Sequence, residues 1–306
     1  MAEGHIAVIG SINMDLVAKT SRMPLKGETI LGSDFQIVPG GKGANQAVAA
    51  ARLGGRVRLV GRVGDDLFGR QLLDNLANNH VDSTMVHISE GTPTGSAVIV
   101  VDEQGENSII VVPGANNQIS SSDIEAATDV IITAGLVLVQ LEIPLQVVET
   151  VIKIAGRAEV PVILDPAPMR PIKRNLLTSV DIITPNRVEA QMLAQEDLRN
   201  VEDAKLIAKK LNSWGIPVVL VKLGEDGVVV ATEQEIRHIP AYSVAVEDTT
   251  AAGDAFAGGL AVALSEGQPL YTAIQFANAV GALTVTQLGA QSAIPTRPEV
   301  EQFLKE

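Results

Sequence analysis

Short apolar runs of strand length alternate with helix-length amphipathic stretches, and this alternation constrains the fold more than any other feature of the chain. The runs are Ile6–Ile12, Val57–Val63, Leu136–Leu141, Val160–Leu164, Asp181–Thr184 and Val218–Leu223. Helical periodicity marks Ala44–Leu53, Phe68–Asn78, Leu145–Ala158, Val188–Ala194 and Ala204–Trp214. Apolar strands separated by helices predict an α/β fold, a mainly parallel sheet covered by helices on both faces. The last third is helix-rich, with Ala255–Leu264, Leu270–Val285 and Pro298–Leu304. A chain of 306 residues, 46% of them hydrophobic, can bury a large core as one big unit or two smaller ones.

Two stretches break the rhythm. Ser96–Asp102 and Asn107–Val112 are β-rich and joined by Glu103-Gln104-Gly105-Glu106, which reads as a hairpin. Thr29–Val38 is another β-like stretch, leading into a glycine loop. Neither is followed by the helix that a parallel sheet requires. They form either an edge extension or a small sheet that folds over a ligand as a lid.

The formal charge of −13 argues against nucleic acid or an anionic membrane as the main partner. It leaves room for an anionic cofactor, which a helix end and one or two cations can bind locally. With no cysteine, the chain has no disulfide, thiolate nucleophile or cysteine metal site, which suits a reducing, cytoplasmic setting. Asn13 and Asp15 interrupt the first apolar run, which reads as a strand and not as a signal peptide. No apolar run reaches membrane-spanning length, so a soluble protein is expected.

The run Asp248-Thr249-Thr250-Ala251-Ala252-Gly253-Asp254 opens the helical pattern at Ala255. Small residues let a ligand approach the backbone, and the free amides of a helix's first turn attract anions. An acid at Asp254 is awkward beside such an anion site unless it takes the proton from a hydroxyl that attacks a phosphoryl group. The alternative is an acid that merely favours the helix dipole. A second motif, Gly40-Gly41-Lys42-Gly43-Ala44-Asn45, also runs into a helix. It is not a P-loop, because Lys42 is followed by Gly43, and Gln46 spoils a dinucleotide fingerprint. What remains is a close-approach loop with a cation and an amide, suited to a hydroxyl-rich ligand or an anion.

Further candidates sit at the carboxyl ends of strands, where open α/β sheets bind ligands. Asn13 and Asp15 follow the first strand on one face, and Glu142 follows Leu141. Thr184-Pro185-Asn186-Arg187-Val188-Glu189 leads from strand to helix. Asn186 and Glu189 there are either a capping pair or nucleotide and metal contacts. Leu223-Gly224-Glu225-Asp226-Gly227 is a tight turn, with glycines explained equally by turn chemistry or by nucleotide approach.

Taken together, these motifs resemble the ribokinase-like sugar kinases over essentially the whole length. Both signatures are present: Gly40–Asn45 with Gly54 and Gly64, and Asp248–Asp254 with Gly258-Gly259. Asn13-Met14-Asp15, Gly105-Glu106-Asn107, Gly114-Ala115-Asn116, Asp165-Pro166-Ala167-Pro168 and Gly289-Ala290-Gln291 add to the likeness. The resemblance implies a single three-layer α/β domain over residues 1–306, with lid strands at about 13–42 and 94–115. It implies ATP-dependent phosphorylation of D-ribose at its 5-hydroxyl, with Asp254 as base and an anion hole at Ala251, Ala252 and Gly253. Asn13, Asp15, Gly41, Lys42, Gly43, Asn45 and Glu142 would hold the sugar. Asn186, Lys222, Gly224, Glu225, Gly227, Gly253 and Asn278 would line the ATP site. Glu189 would lie near Mg²⁺, and Asp248, Thr250, Thr284, Gln287, Gly289 and Ala293 would form a loop for an activating K⁺. A homodimer through the lid strands is also implied.

The chain departs from the family pattern at three places: Arg187 where a second acid is usual, Lys222 where a small hydroxyl residue is usual, and Ala293 where a Ser is common. The runner-up expectation is another kinase of the same family, for deoxyribose, fructose or adenosine. An adenosine site would want apolar or aromatic walls for the base, and aromatics are only 3% of the chain. A non-catalytic sugar-binding protein on the same scaffold is the alternative from another class.

Overall fold

The computed structural model describes residues 4–104 and 107–305. The strands, in chain order, are β1 (Ile6–Ile9), β2 (Asn13–Thr20), β3 (Gly32–Gly40), β4 (Val57–Gly64), β5 (Asp82–Ser89), β6 (Gly95–Val101) and β7 (Asn107–Val112). They continue with β8 (Leu136–Val139), β9 (Val162–Leu164), β10 (Ile182–Ile183), β11 (Val218–Lys222), β12 (Val228–Ala231) and β13 (Ile236–Ile239). The helices are α1 (Lys42–Arg52), α2 (Leu67–Asn78), α3 (Ser121–Ala126), α4 (Thr128–Ile132), α5 (Leu145–Arg157) and α6 (Arg174–Leu177). After them come α7 (Arg187–Ala194), α8 (Val201–Asn212), α9 (Ala252–Ser265), α10 (Leu270–Thr284) and α11 (Arg297–Phe303).

The main sheet has nine strands in the order β13-β12-β11-β10-β9-β8-β1-β4-β5. It is parallel from β11 to β5, and β12 and β13 add an antiparallel edge. Strand β1 shows why: all four of its residues are buried, so the run is apolar without alternation. Ala7 and Ile9 face the core shared with α5 and α8, while Ile6 and Val8 face the core shared with α1 and α9. Helix α5 buries Val147, Val148, Val151, Ile152 and Ala155, one stripe at helical spacing. Each of the Val and Ile side chains contributes roughly 1.5–3 kcal/mol of burial at most.

A second sheet of four strands, β3-β2-β6-β7, projects from the first. Here β2 pairs parallel with β6, and the outer pairs are antiparallel. The expected hairpin is β6–β7, although Gly105 and Glu106 at its tip lie outside the described residues.

Several boundaries differ from the sequence expectation. The first strand ends at Ile9, and Asn13 and Asp15 belong to β2 of the small sheet. The β-like stretch 29–38 is realised as Gly32–Gly40. Strand β8 stops at Val139, so Glu142 lies in the loop beyond it. Helix α9 begins at Ala252 and not Ala255, because Ala251 adopts a left-handed conformation (φ 59°) that turns the chain into the helix a few residues early. That conformation is uncommon for a non-glycine residue and is strained.

Candidate active site

The carboxyl ends of the parallel strands deliver a row of polar residues to one rim of the sheet. Ser11 follows β1, Gln140 follows β8, Asp165 follows β9, Thr184 follows β10, and Lys222 ends β11. Ser11, Gln140, Asp165 and Thr184 are buried. Buried polar groups must find partners or cost stability: Thr184 donates to Asp165, Ser11 to Glu142 and Gln140 to Gln46, although Gln140 Oε1 is left without a partner.

Asp254 stands at the centre. It occupies the first turn of α9 and is 5% exposed. Its Oδ2 accepts from Asn45 Nδ2 at 3.0 Å and its Oδ1 from Gln46 Nε2 at 3.1 Å. Lys42 Nζ lies 3.7 Å from Oδ1. All three partners come from the start of α1. The contact is set by backbone approach: a Cβ on Gly258 would lie 2.6 Å from Ala49 Cβ and 2.9 Å from Ala50 N. Gly41, at φ 87°, makes the turn into α1 that a side chain would strain. Asp254, aided by Asp165, Glu142 and Glu189, holds the Lys42 ammonium well above its ordinary range. Lys42 is therefore a permanent cation beside the acid.

The first i→i−4 bond of α9 runs from Ala255 N to Ala251 O. The N–H groups of Gly253 and Asp254 precede it, at the positive end of the helix dipole. A Cβ on Gly253 would meet only Lys222 Nζ within 4 Å, at 3.5 Å, so the protein itself does not demand glycine there. Lys222 Nζ is bonded to Asp165 Oδ1 at 3.0 Å. Two ion pairs, Lys42–Asp254 and Lys222–Asp165, thus flank the helix start. Gln46 Nε2 joins them by also donating to Asp165 Oδ2 at 2.9 Å.

On the side of the small sheet, Glu142 Oε2 accepts from Ser11 Oγ (2.5 Å), Lys42 N (3.2 Å) and Asn13 Nδ2 (3.4 Å). Asn116 fixes Asn13 by donating to its Oδ1 at 2.7 Å. Gly43 N donates to Ser11 Oγ. Asp15 lies over Gly40, where a Cβ would come within 2.1 Å of its Oδ2. Burial, with Glu142 and Asp254 nearby, pushes the Asp15 carboxyl up to about 7. Asn13, Asp15, Lys42, Asn45, Glu142 and Asp254 thus form one polar constellation of donors and acceptors, the chemistry that hydroxyls require.

The nucleotide-side candidates lie along the strand ends beyond Asp165. Asn186 and Glu189 form a reciprocal capping box at the start of α7. Burial and Asp165 raise the Glu189 carboxyl, partly offset by Lys222. Gly224 and Gly227, both at positive φ, frame the turn after β11, with Glu225 exposed between them. Asn278 is buried on α10 and donates to Pro240 O at 3.4 Å. Arg187 turns outward to Asp226 at 2.9 Å.

The expected cation loop is only partly gathered by side chains. Asp248 Oδ1 accepts from Thr250 N and Oγ1, and its Oδ2 accepts from Gly289 N at 2.9 Å. Thr284 spends its hydroxyl on Val280 O inside α10, Gln287 is exposed, and Ala293 brings no side-chain oxygen. Among the described residues no group of three or more His, Cys, Asp or Glu is placed to hold a metal.

In the sequence, Gln46 counts only against a dinucleotide fingerprint, Gln140 and Asn75 are not singled out, and Asp165 and Gln291 are given no role. Gln291 Nε2 donates to Asn45 Oδ1 at 3.0 Å, and Asn75 Nδ2 donates to Gln291 Oε1 at 2.7 Å. The sequence signal was present for Gln46, whose position rules out a dinucleotide loop while supplying a donor one residue from Asn45.

The family model for pfkB family carbohydrate kinases matches residues 3–297. The chain is 43% identical to a ribokinase from Bacillus subtilis over 300 residues, covering 98% of this chain and 99% of that protein. Among solved structures it is similar to a ribokinase from Thermotoga maritima (39% identity, TM-score 0.90, 99% of this chain and 100% of that one). It is also similar to an Arabidopsis thaliana ribokinase complexed with ribose and ATP (36% identity, TM-score 0.91, 99% of both chains).

Proposed function

Since the chain belongs to the pfkB family of carbohydrate kinases, we propose that it transfers the terminal phosphoryl group of ATP to the 5-hydroxyl of D-ribose, giving D-ribose 5-phosphate and ADP. The observation that carries this reading is the Asp254 carboxylate, set beside first-turn amides and held by Asn45 and Gln46. Asp254 accepts the proton as the sugar oxygen attacks. The N–H groups of Gly253 and Asp254 face the charge that develops on the moving phosphoryl group, while the Ala252 N–H is taken by Thr249 O at 3.3 Å. Lys42 adds a fixed positive charge 3.7 Å from the base.

Asn13, Asp15, Gly41, Lys42, Gly43, Asn45 and Glu142 orient the sugar, and the small sheet covers it as a lid, which excludes water from the phosphoryl acceptor. Asn186, Lys222, the Gly224–Gly227 turn and Asn278 line the nucleotide side. The donor set suits a Mg²⁺ that arrives with the phosphates: burial and the neighbouring Asp165 raise the Glu189 carboxyl, a crowding of acids that a cation would relieve. Mg²⁺ supplies charge neutralisation on the phosphates. Asp248, which Thr250 and the Gly289 N–H hold in place, would contribute a carboxylate to a K⁺ site, while Ala293 brings no side-chain oxygen where a Ser is common.

Residues 1–306 act as one unit in this reading. Exposed Phe35, Ile37, Ile109 and Ile110 on the lid sheet support pairing of two copies through that sheet, in a cytoplasmic protein. Among the described residues no helix is long and apolar enough to cross a membrane.

The test is ADP release from Mg-ATP with D-ribose, with 2-deoxyribose, with fructose and with no sugar. Release that depends on D-ribose, together with ³¹P coupling that places phosphate on C5, is expected. Stronger release with another sugar would move the assignment to that substrate.

A further inference from the structure

Asp254 terminates two hydrogen-bonded series of carboxamides that all run in the same direction. In the first, Asn75 Nδ2 donates to Gln291 Oε1 (2.7 Å), Gln291 Nε2 to Asn45 Oδ1 (3.0 Å), and Asn45 Nδ2 to Asp254 Oδ2 (3.0 Å). In the second, Gln140 Nε2 donates to Gln46 Oε1 (2.5 Å), and Gln46 Nε2 to Asp254 Oδ1 (3.1 Å). Gln291, Asn45 and Gln46 each have the oxygen fixed by the donor behind it, so their N–H₂ groups must face forward, whereas the buried Gln140 Oε1 has no such donor. Asn45, Gln46, Gln140 and Gln291 are all buried, and a reversed amide there would set oxygen against oxygen.

The first series begins well away from the reacting atoms. Asn75 lies on α2 and is half-buried. Gln291 belongs to the Gly289–Ile294 loop, which Arg52 Nη1 fastens by donating to the carbonyls of Gln291 and Ile294 at 2.7 Å each. We infer that Asn75 and Gln291 are positioning residues, which keep the Asn45 amide turned with its donor toward the base and so keep the Asp254 carboxylate placed to accept the proton. This rests on the reading of Asp254 as general base.

The other charged groups that face Asp254 stay constant in the test. They are Lys42 on α1, Asp15 on β2 and, through Gln46, Asp165 with its partner Lys222. Reversing the series changes the partner of Asp254 Oδ2 from an N–H to a carbonyl oxygen. A carboxylate that loses a donor holds its proton more tightly.

Asn75→Asp makes the reversal without touching the site. An aspartate at 75 only accepts, so Gln291 turns its N–H₂ toward it and its oxygen toward Asn45, which turns in response. The kcat of Asn75→Asp is expected to fall roughly tenfold or more, the order of a lost charge-assisted hydrogen bond, with the acidic limb of the pH profile moved upward. The KM for ATP should change little. Asn75→Ala, which removes the first donor without imposing the opposite direction, should lie between it and the wild type. Gln71→Glu adds the same charge one turn away on the exposed side of α2 and should leave the profile in place.

A second readout needs no sugar. In ¹⁵N-labelled wild-type protein the Asn45 side-chain amide resonance should follow the titration of the acid it contacts, and in Asn75→Asp it should not. Wild-type kcat, pH profile and Asn45 titration in Asn75→Asp would overturn the inference, as would an equal shift in Gln71→Glu. A wild-type protein that turns over no ribose would count against the proposed reaction alone, because the Asn45 resonance still decides the relay.

Discussion

At the scale of single residues, the chemistry rests on acids held in unlike surroundings. Asp254 is met by two amide donors and a lysine, whereas Asp15 sits among acids with little to offset its burial. Its carboxyl titrates near 4 in the unfolded chain and near 7 in the folded one. The folded state therefore holds a proton more tightly than the unfolded state across that interval. Stability from this group is fully present below pH 4 and lost as pH rises through 7. The loss is on the order of 4 kcal/mol at most. Asp15→Asn should accordingly melt like the wild type near pH 4 and several degrees above it near pH 8, with weaker ribose binding throughout. Thermal melts at both pH values check this; an equal difference at each pH would contradict it. Lys222 illustrates what one residue's context adds. As a departure from the family pattern it carries no evident role, but its bond to Asp165 and its approach to Gly253 make it a counter-ion at the helix start.

Elements matter here through where they start and how closely they approach. The base reaches Asn45 and Gln46 only because α9 lies against α1 with glycine at the crossing. Gly258→Ala would press a methyl into Ala49 and Ala50, costing about 1–3 kcal/mol by overpacking. A lower urea midpoint should come with a larger proportional loss of turnover, since Asp254 moves with its helix. Full activity in the folded variant would show that the contact serves stability alone. The elements that sequence made legible were those with a clear period. The buried parallel strands and amphipathic α5 and α8 stand close to their expected limits. Even β10, two residues long, falls inside the expected run Asp181–Thr184, whereas β12 and β13 follow a turn without a helix between and gave periodicity little to register. The start of α9 was misplaced because a left-handed Ala251 leaves no compositional mark.

Across the whole molecule, the rim of strand ends is where sequence legibility divides. Motifs confined to one loop, such as Gly40–Asn45 or Asp248–Asp254, announce themselves by residue type. The bonds that assemble them do not: Gln46 to Asp165, Gln46 to Asp254 and Gln291 to Asn45 span 119, 208 and 246 positions. Local pattern cannot show such partners, and only the sheet order brings them together. The same architecture leaves an apolar face on the lid sheet. If two copies cover it, Ile110→Lys should shift the sedimentation coefficient from that of a dimer to that of a monomer and loosen lid closure, raising KM for ribose. A wild-type protein that sediments as a monomer at micromolar concentration would remove that part of the account.

The central claim, a proton-accepting carboxylate at the start of α9, is tested most directly by Asp254→Asn, with turnover and ribose affinity measured side by side. The amide fills the same space but cannot take the proton. Turnover should fall by roughly three orders of magnitude or more while ribose affinity, measured calorimetrically, changes by less than about tenfold. Turnover within a few fold of the wild type would contradict the role assigned to Asp254.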